Sequence, residues 1–192
     1  FTTMAPALHF FIVLAHAPGP AGEPPVLANF VVYRDDRGVS IDETWDSLGM
    51  RAPGSHDLVL DGVTLPADRL LNQRRAGSAD ARGAAGFAWF ALGVAATTVG
   101  VAQAARDYAV AFARERTPND ARTIREYPGV RARVARIDLL LQRARAMVYD
   151  AANAWESRPA DGPPPLPRVA AAKVDALNGA IEAVDLAMRV VG

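Results

Sequence analysis

The chain has 192 residues, with 21 Lys+Arg against 21 Asp+Glu and a formal net charge of +0. That balance supplies no excess positive charge for counterion release, which argues against a nucleic-acid protein. A hydrophobic fraction of 51% excludes a disordered chain, and the absence of Cys excludes disulfides, thiolate zinc sites, iron–sulfur ligation and a cysteine nucleophile. A cysteine-free chain also fits a cytoplasmic location, which is the expectation. Among the basic residues only Lys173 is lysine; with the abundant alanine, this reads as the coding bias of a GC-rich genome. The chain opens on Phe1 and closes on Gly192, and neither end reads as a natural terminus, so a longer parent chain is expected.

In chain order, short apolar runs bounded by turn residues come first. His9 to Ala15 precedes Pro18-Gly19-Pro20, and Val26 to Tyr33 precedes Arg34-Asp35-Asp36-Arg37-Gly38. Val39-Ser40-Ile41 and the stretch His56 to Leu65 follow. Runs of this length between Gly, Pro and Asp clusters predict strands. No helix-length pattern separates them, so the sheet is expected to be mainly antiparallel. Leu65-Pro66 starts a connector through Leu70-Leu71, and residues 72–83 are polar, basic and Gly-containing, which predicts a mobile loop.

After Gly83 the period becomes helical. Phe87, Phe90, Val94, Thr98, Val101, Ala105, Tyr108 and Phe112 recur in steps of three and four, predicting one face of a long helix over 84–116, about 50 Å long. Thr117-Pro118-Asn119-Asp120 ends it. A second stripe runs Val130, Val134, Ile137, Leu141, Ala144, Val148, Ala151, Trp155, with Arg131, Arg133, Arg136, Arg143 and Arg145 on the other face. Ser157 to Pro167 breaks the chain, and a third stripe runs Ala170, Val174, Leu177, Ile181, Val184, Met188, Val191. The predicted class is therefore α+β. A small antiparallel β-domain (1–71) and a linker loop (72–83) lead into an antiparallel bundle of long helices (84–192).

Ala84 to Ala105 carries no charge and is long enough to cross a bilayer. It holds Thr97, Thr98, Gln103, Gly86, Gly93 and Gly100, is rich in alanine, and continues unbroken into Arg106-Asp107. A central bundle helix explains that composition better, so no membrane span is expected.

No phosphate loop, G-x-S-x-G elbow, H-E-x-x-H or dinucleotide G-x-G-x-x-G occurs. His9, His16 and His56 lie at no metal-ligand spacing, and no metal is expected. Asp42, Glu43, Asp46, Asp57 and Asp61 permit a catalytic carboxylate pair, but a solvated acidic rim is the simpler reading. The arginines of the second helix suit phosphates or an acidic partner; solvation beside i,i+4 acids is preferred.

The informative segment runs from Trp45 to Pro66. It reads Trp45-Asp46-Ser47-Leu48-Gly49-Met50-Arg51-Ala52-Pro53-Gly54-Ser55, then a strand, then Asp61-Gly62-Val63-Thr64-Leu65-Pro66. Gly49 and Gly54 supply backbone freedom, Ser55 and Asp57 can cap the bend, and Pro66 stops the strand. This string resembles the end of the middle β-domain of the acyl-CoA dehydrogenase superfamily, W-x-x-L-G-x-R-x-(T/S)-x-S followed by a strand and V-x-V-P. The family's G-x-A-Q-x-A helix is matched by Gly100-Val101-Ala102-Gln103-Ala104-Ala105, and Val190-Val191-Gly192 is similar to the approach to its Gly-Gly turn. The resemblance spans essentially the whole chain and lacks the family's N-terminal helical domain and the end of its bundle.

The resemblance implies an FAD-dependent oxidoreductase, with FAD between β-domain and bundle in a homo-oligomer, a dimer or tetramer. It implies α,β-dehydrogenation of an acyl-CoA, a carboxylate taking the α-proton while hydride passes to flavin N5, with an electron-acceptor flavoprotein or a reductase as partner. It places Phe1 on the isoalloxazine, Thr3 at the N5 region, and Arg116 on FAD phosphates across a subunit interface. For Arg116 a helix C-terminal cation held by the macrodipole is the equal alternative. Three departures stand out: Thr117-Pro118-Asn119-Asp120 where the family has x-x-F-G, Pro128 near a family glutamine, and Arg189 near another. The family's catalytic glutamate lies at one of two positions: one is expected beyond Gly192, and the other falls near Phe90-Ala91, where there is no acid, so the catalytic residue is unassigned. A reduced-flavin-dependent monooxygenase of the same fold, which needs no such base, and a non-catalytic interaction module are the alternatives.

Overall fold

A computed structural model describes residues 1–19, 23–78, 81–120, 122–159 and 162–192. Pro20 of the first predicted turn, residues 79–80 of the predicted loop and residues 160–161 of the proline-rich break lie outside the described residues. The chain forms two compact units, Phe1–Ala79 and Asp80–Gly192.

Among the described residues the first unit holds five strands: β1 (Phe10–Ala17), β2 (Val26–Tyr33), β3 (Val39–Asp42), β4 (Asp57–Leu60) and β5 (Leu70–Arg75). All pairings are antiparallel, in a three-stranded sheet of order β1-β2-β5 and a two-stranded sheet β3-β4. Phe11 stands opposite Val32 across β1 and β2, and both are buried, as are Ala28 and Ala5. Gly38 opens β3 at φ +92°, and a Cβ there would come within 2.1 Å of the Asp61 carbonyl oxygen, so only glycine fits this approach.

The predicted loop at 72–83 begins as strand. Its Asn72, Gln73, Arg74 and Arg75 pair with β2, a bulge falls at Asn29/Phe30, and Asn29 Nδ2 donates to Asn72 Oδ1 at 2.8 Å. An edge strand needs backbone pairing on one side only, and polar, basic side chains are what such an edge tolerates. That is why its composition read as loop.

Among the described residues the second unit holds three long helices: α1 (Ala81–Glu115), α2 (Pro128–Glu156) and α3 (Leu166–Val191). Three ion pairs fix the antiparallel register of α2 on α3. Arg136 Nε meets Glu182 Oε1 at 2.8 Å, Arg143 Nη2 meets Asp175 Oδ1 at 2.8 Å, and Arg168 Nη1 meets Asp150 Oδ1 at 3.6 Å. Each step of seven residues up α2 is matched by seven down α3. These arginines pair between helices, where i,i+4 partners were expected.

The seam of the bundle also differs from expectation. On α1 the buried residues are Ala88, Ala91, Ala95, Val99, Ala102, Ala109 and Ala113; on α3 they are Val169, Ala172, Ala176, Gly179, Ala180, Ala183, Ala187 and Val190. The predicted stripes lie only partly inward: Phe90, Val101 and Tyr108 on α1 and Val174, Ile181 and Met188 on α3 are exposed, while Ala105, Val184 and Val191 pack on the edge of the core. Small side chains let helices approach closely, and van der Waals contact between close backbones replaces large-residue burial. Only α2 buries its predicted stripe, around Ile137, Leu141 and Ala144, with Leu140 added. By length and composition α1 also meets the requirement for a membrane crossing; here its alanine face lies against α2 and α3.

Candidate flavin-contact residues

The segment Trp45–Ser55 is tied to itself. The Trp45 indole N–H donates to the Met50 carbonyl at 2.8 Å, and Arg51 Nη1 reaches both Asp46 Oδ1 and the Ser47 carbonyl at 2.8 Å. Met50 holds φ at 53° to close the loop. These bonds explain why Trp, Gly and Arg occur at this spacing: the indole and the guanidinium replace a sheet partner for the loop backbone. The loop presents Leu48 and Met50 to the outside.

The first residues lie along this loop's far end. Thr2 N–H donates to the His56 carbonyl at 2.9 Å and Met4 N–H to the Pro53 carbonyl at 2.7 Å. Ser55, the one polar side chain buried among the described residues, donates from Oγ to Thr3 Oγ1 at 3.3 Å. The Trp45 N–H donates to His56 Nδ1 at 3.2 Å. Phe1 stands edge-on to Trp45, with ring centroids 6.2 Å apart and planes at 71°.

Two of the residues singled out in the sequence, Phe1 and Thr3, therefore share one corner of the β unit with Trp45 and Ser55. A 90% exposed phenyl ring, braced at its edge by an indole, leaves an aromatic face open for offset stacking. Beside it stands a hydroxyl whose orientation Ser55 sets. That combination suits a planar heteroaromatic ring with hydrogen-bonding edge atoms, which is the chemistry of an isoalloxazine.

An open groove of about 680 Å³ adjoins this corner, lined by Phe1, Leu8, Phe10, Ile12 and Leu58 among others. The sequence reading did not single it out. Its signal was present in the alternation of Phe10, Ile12 and Leu14 along β1, which puts three exposed apolar side chains on one face.

Arg116 belongs to the helical unit. Its N–H continues α1 by donating to the Phe112 carbonyl at 2.9 Å, and its carbonyl accepts from Ile124 N–H at 2.9 Å. The side chain is exposed and has no ion pair among the described residues. A guanidinium fixed at its backbone and free at its tip suits a phosphate. Pro128, which departs from the family string, is the first residue of α2, where a missing N–H costs nothing.

Gln103, of the G-x-A-Q string, stays within the bundle. Its Nε2 donates to Asp107 Oδ1 at 2.8 Å and its Oε1 accepts from Arg145 Nη2 at 2.6 Å. The hydrogen bond from Gln103, then that from Arg106, holds the Asp107 carboxyl below its usual range. The matched glutamine thus acts in the α1–α2 joint.

Comparison with known proteins places these observations. Residues 76–192 match the family model "Acyl-CoA dehydrogenase, C-terminal domain". The chain is 40% identical to YdbM of Bacillus subtilis (strain 168) over 193 aligned positions, covering 100% of this chain and 48% of that protein. The structure of a nitrososynthase from Micromonospora carbonacea var. africana superposes with a TM-score of 0.83 at 32% identity, covering 99% of this chain and 48% of the other. KijD3 in complex with FMN and a dTDP-linked amino keto sugar superposes with a TM-score of 0.81 at 34% identity, over 99% of this chain and 47% of that one. The chain thus spans about half the length of these relatives. The aromatic corner, the alanine-seamed bundle and the match over the whole second unit lead to one assignment: the chain belongs to the acyl-CoA dehydrogenase family.

Proposed function

We propose that this chain is part of a flavin-dependent oxidoreductase that oxygenates its substrate with reduced flavin. The carrying observation is the chemistry of α1. From Gly83 to Arg106 the helix bears no carboxylate, and the early position of the family's catalytic glutamate, which the resemblance puts near Phe90-Ala91, falls in that stretch. Oxygenation asks for a dry, aromatic-walled pocket and no protein base on that helix. Likeness to a nitrososynthase and to KijD3 supports the same branch.

Phe1 would stack on the flavin ring, Thr3 would hydrogen-bond its N5 edge, and Arg116 would meet its phosphate. FAD is the proposed form, and the FMN complex of KijD3 makes the mononucleotide the form to test against it. The bound flavin supplies the two-electron redox chemistry; this chain's own residues orient it, exclude water and neutralise its phosphate. A reductase is the proposed electron partner and a homo-oligomer the proposed assembly.

A second reading, α,β-dehydrogenation of an acyl-CoA, is favoured by the whole-chain likeness to YdbM, whose name assigns it provisionally to the acyl-CoA dehydrogenases. The two part cleanly in experiment. Full-length protein loaded with flavin is mixed anaerobically with an acyl-CoA panel, and separately with a flavin reductase, oxygen and amino-sugar nucleotides. Substrate-dependent oxygen uptake with no bleaching by any acyl-CoA supports oxygenation. Bleaching at 450 nm by one acyl-CoA replaces it with dehydrogenation. Neither bleaching by any acyl-CoA nor reductase-dependent oxygen uptake with any substrate overturns both.

A further inference from the structure

The arginines of the helical unit divide into two populations. Arg106, Arg136, Arg143, Arg168 and Arg189 each pair with a carboxylate, Arg145 donates to Gln103, and Arg158 donates to the Trp155 carbonyl while stacking on its ring. Around the junction of α1 and α2 the pattern stops. Arg114, Arg125 and Arg131 have no ion pair among the described residues, and all three are exposed. They nevertheless converge on one cleft of about 280 Å³, floored by Val110, Ala113, Val130, Val134 and Ala135.

The convergence is built. Arg131 Nε donates to the Arg125 carbonyl at 3.0 Å, which ties the Arg131 guanidinium to the backbone of the segment that carries Arg125 and uses none of its terminal N–H groups. Asp138, the one carboxylate in the wall, is held by Arg106 through two bonds, Nε to Oδ1 at 2.8 Å and Nη2 to Oδ2 at 3.3 Å. Glu126 accepts from Thr123 Oγ1 at 3.0 Å. Three exposed like charges line the cleft against one carboxylate that Arg106 already pairs, so positive charge is in excess there and a bound anion offsets it. The apolar floor adds a preference for an anion that carries a small organic group.

From this we infer that the cleft is a binding site for a small organic phosphate ester, separate from the Arg116 site. Arg114 and Arg116 are two residues apart, about 200° around the helix axis, so they serve opposite sides of α1. The inference does not depend on the flavin reading.

Phenyl phosphate, inorganic phosphate and phenol are the probes, titrated calorimetrically into the full-length protein at low and at physiological salt. One site is expected, with phenyl phosphate bound more tightly than inorganic phosphate, phenol not bound, and affinity falling as salt rises. Arg125→Ala and Arg131→Ala should each weaken phenyl phosphate by about tenfold. Arg116→Ala and the distant Arg37→Ala should leave it unchanged. Arg125→Ala should also raise the melting temperature without ligand, by relieving repulsion, and abolish most of the upward shift that phenyl phosphate gives the parent protein. Loss of binding in Arg116→Ala alone overturns the separate site. So does equal weakening by Arg37→Ala, binding of phenol as tightly as phenyl phosphate, or no saturable binding at all.

Discussion

Arg106 and Asp138 join α1 to α2 as a two-bond fork, Nε to Oδ1 at 2.8 Å and Nη2 to Oδ2 at 3.3 Å. The hydrogen bond that Arg106 donates to Asp138 is the main cause of the raised pKa of Arg106, with the one to Asp107 adding to it. Both side chains are about a third exposed, so solvent screens the pair. A double-mutant cycle with Arg106→Ala and Asp138→Ala should give a coupling of about 1 kcal/mol in urea unfolding. A coupling near zero would show that the fork positions the helices without stabilising them.

Gly179 lies in the α3 seam, and a Cβ placed there would sit 3.9 Å from Leu140 Cδ2 and 4.0 Å from its Cβ. That is ordinary contact, and the backbone is helical. Gly179→Ala should therefore raise stability by about 0.5–1 kcal/mol through helix propensity and lower unfolded-chain entropy. Ala183→Leu, at a position with no exposed surface, should cost about 1–3 kcal/mol by overpacking. Melting curves of the two variants should shift in opposite directions.

Glu182 has a lowered pKa, chiefly from the hydrogen bond with Arg136 and then from Coulomb attraction to Arg136 and Arg143. A group depressed in the folded state stabilises above its unfolded pKa, and that stabilisation is lost as pH falls through the folded one. Protein stability should decline on acidification through and below the ordinary glutamate range. Glu182→Gln should flatten that part of the curve and leave its neutral part little changed, because the pair is largely exposed. Unchanged steepness in Glu182→Gln would assign the acid limb to other carboxylates, Asp107 first.

Removing the phenyl ring in Phe1→Ala should weaken flavin retention by about tenfold, the loss of one stacking contact in a polar solvent. Thr3→Val, which keeps the shape and removes the hydroxyl, should retain flavin and shift its reduction potential. Both variants are read in the full-length protein by absorbance after gel filtration and by spectroelectrochemistry. A potential unmoved in Thr3→Val would take that hydroxyl away from the flavin's reactive edge.

The strands β1 to β4 were readable because Gly, Pro and Asp clusters bound apolar runs. β5 was not, because a polar edge strand has the composition of a loop. Helix existence was equally plain, but the choice of buried face was not. Sequence periodicity weights large apolar residues, so Phe90, Val101, Ile181 and Met188 defined the stripes. Contact between close helices is made by alanines, which lie on every side of α1 and carry little directional signal. At the aromatic corner, Phe1 and Thr3 came from a family string, and the structure adds Trp45 and Ser55 as their braces. The arginine cleft was legible only as an arginine-rich face; which cations lack partners depends on where α3 puts its acids.

The seven-residue spacing of the α2–α3 ion pairs also decides where the two helices stop. A ladder whose rungs repeat at equal intervals invites a slip of one repeat, but the order of the charges forbids it. If α3 slid by seven residues one way, Arg136 would meet Arg189 and Asp150 would meet Asp175; the other way, Arg143 would meet Arg168. Each displaced copy sets like charges face to face. Leu140 opposite Gly179 adds a second constraint: displaced the first way, Leu140 would face Leu186, and the notch that admits it would be gone.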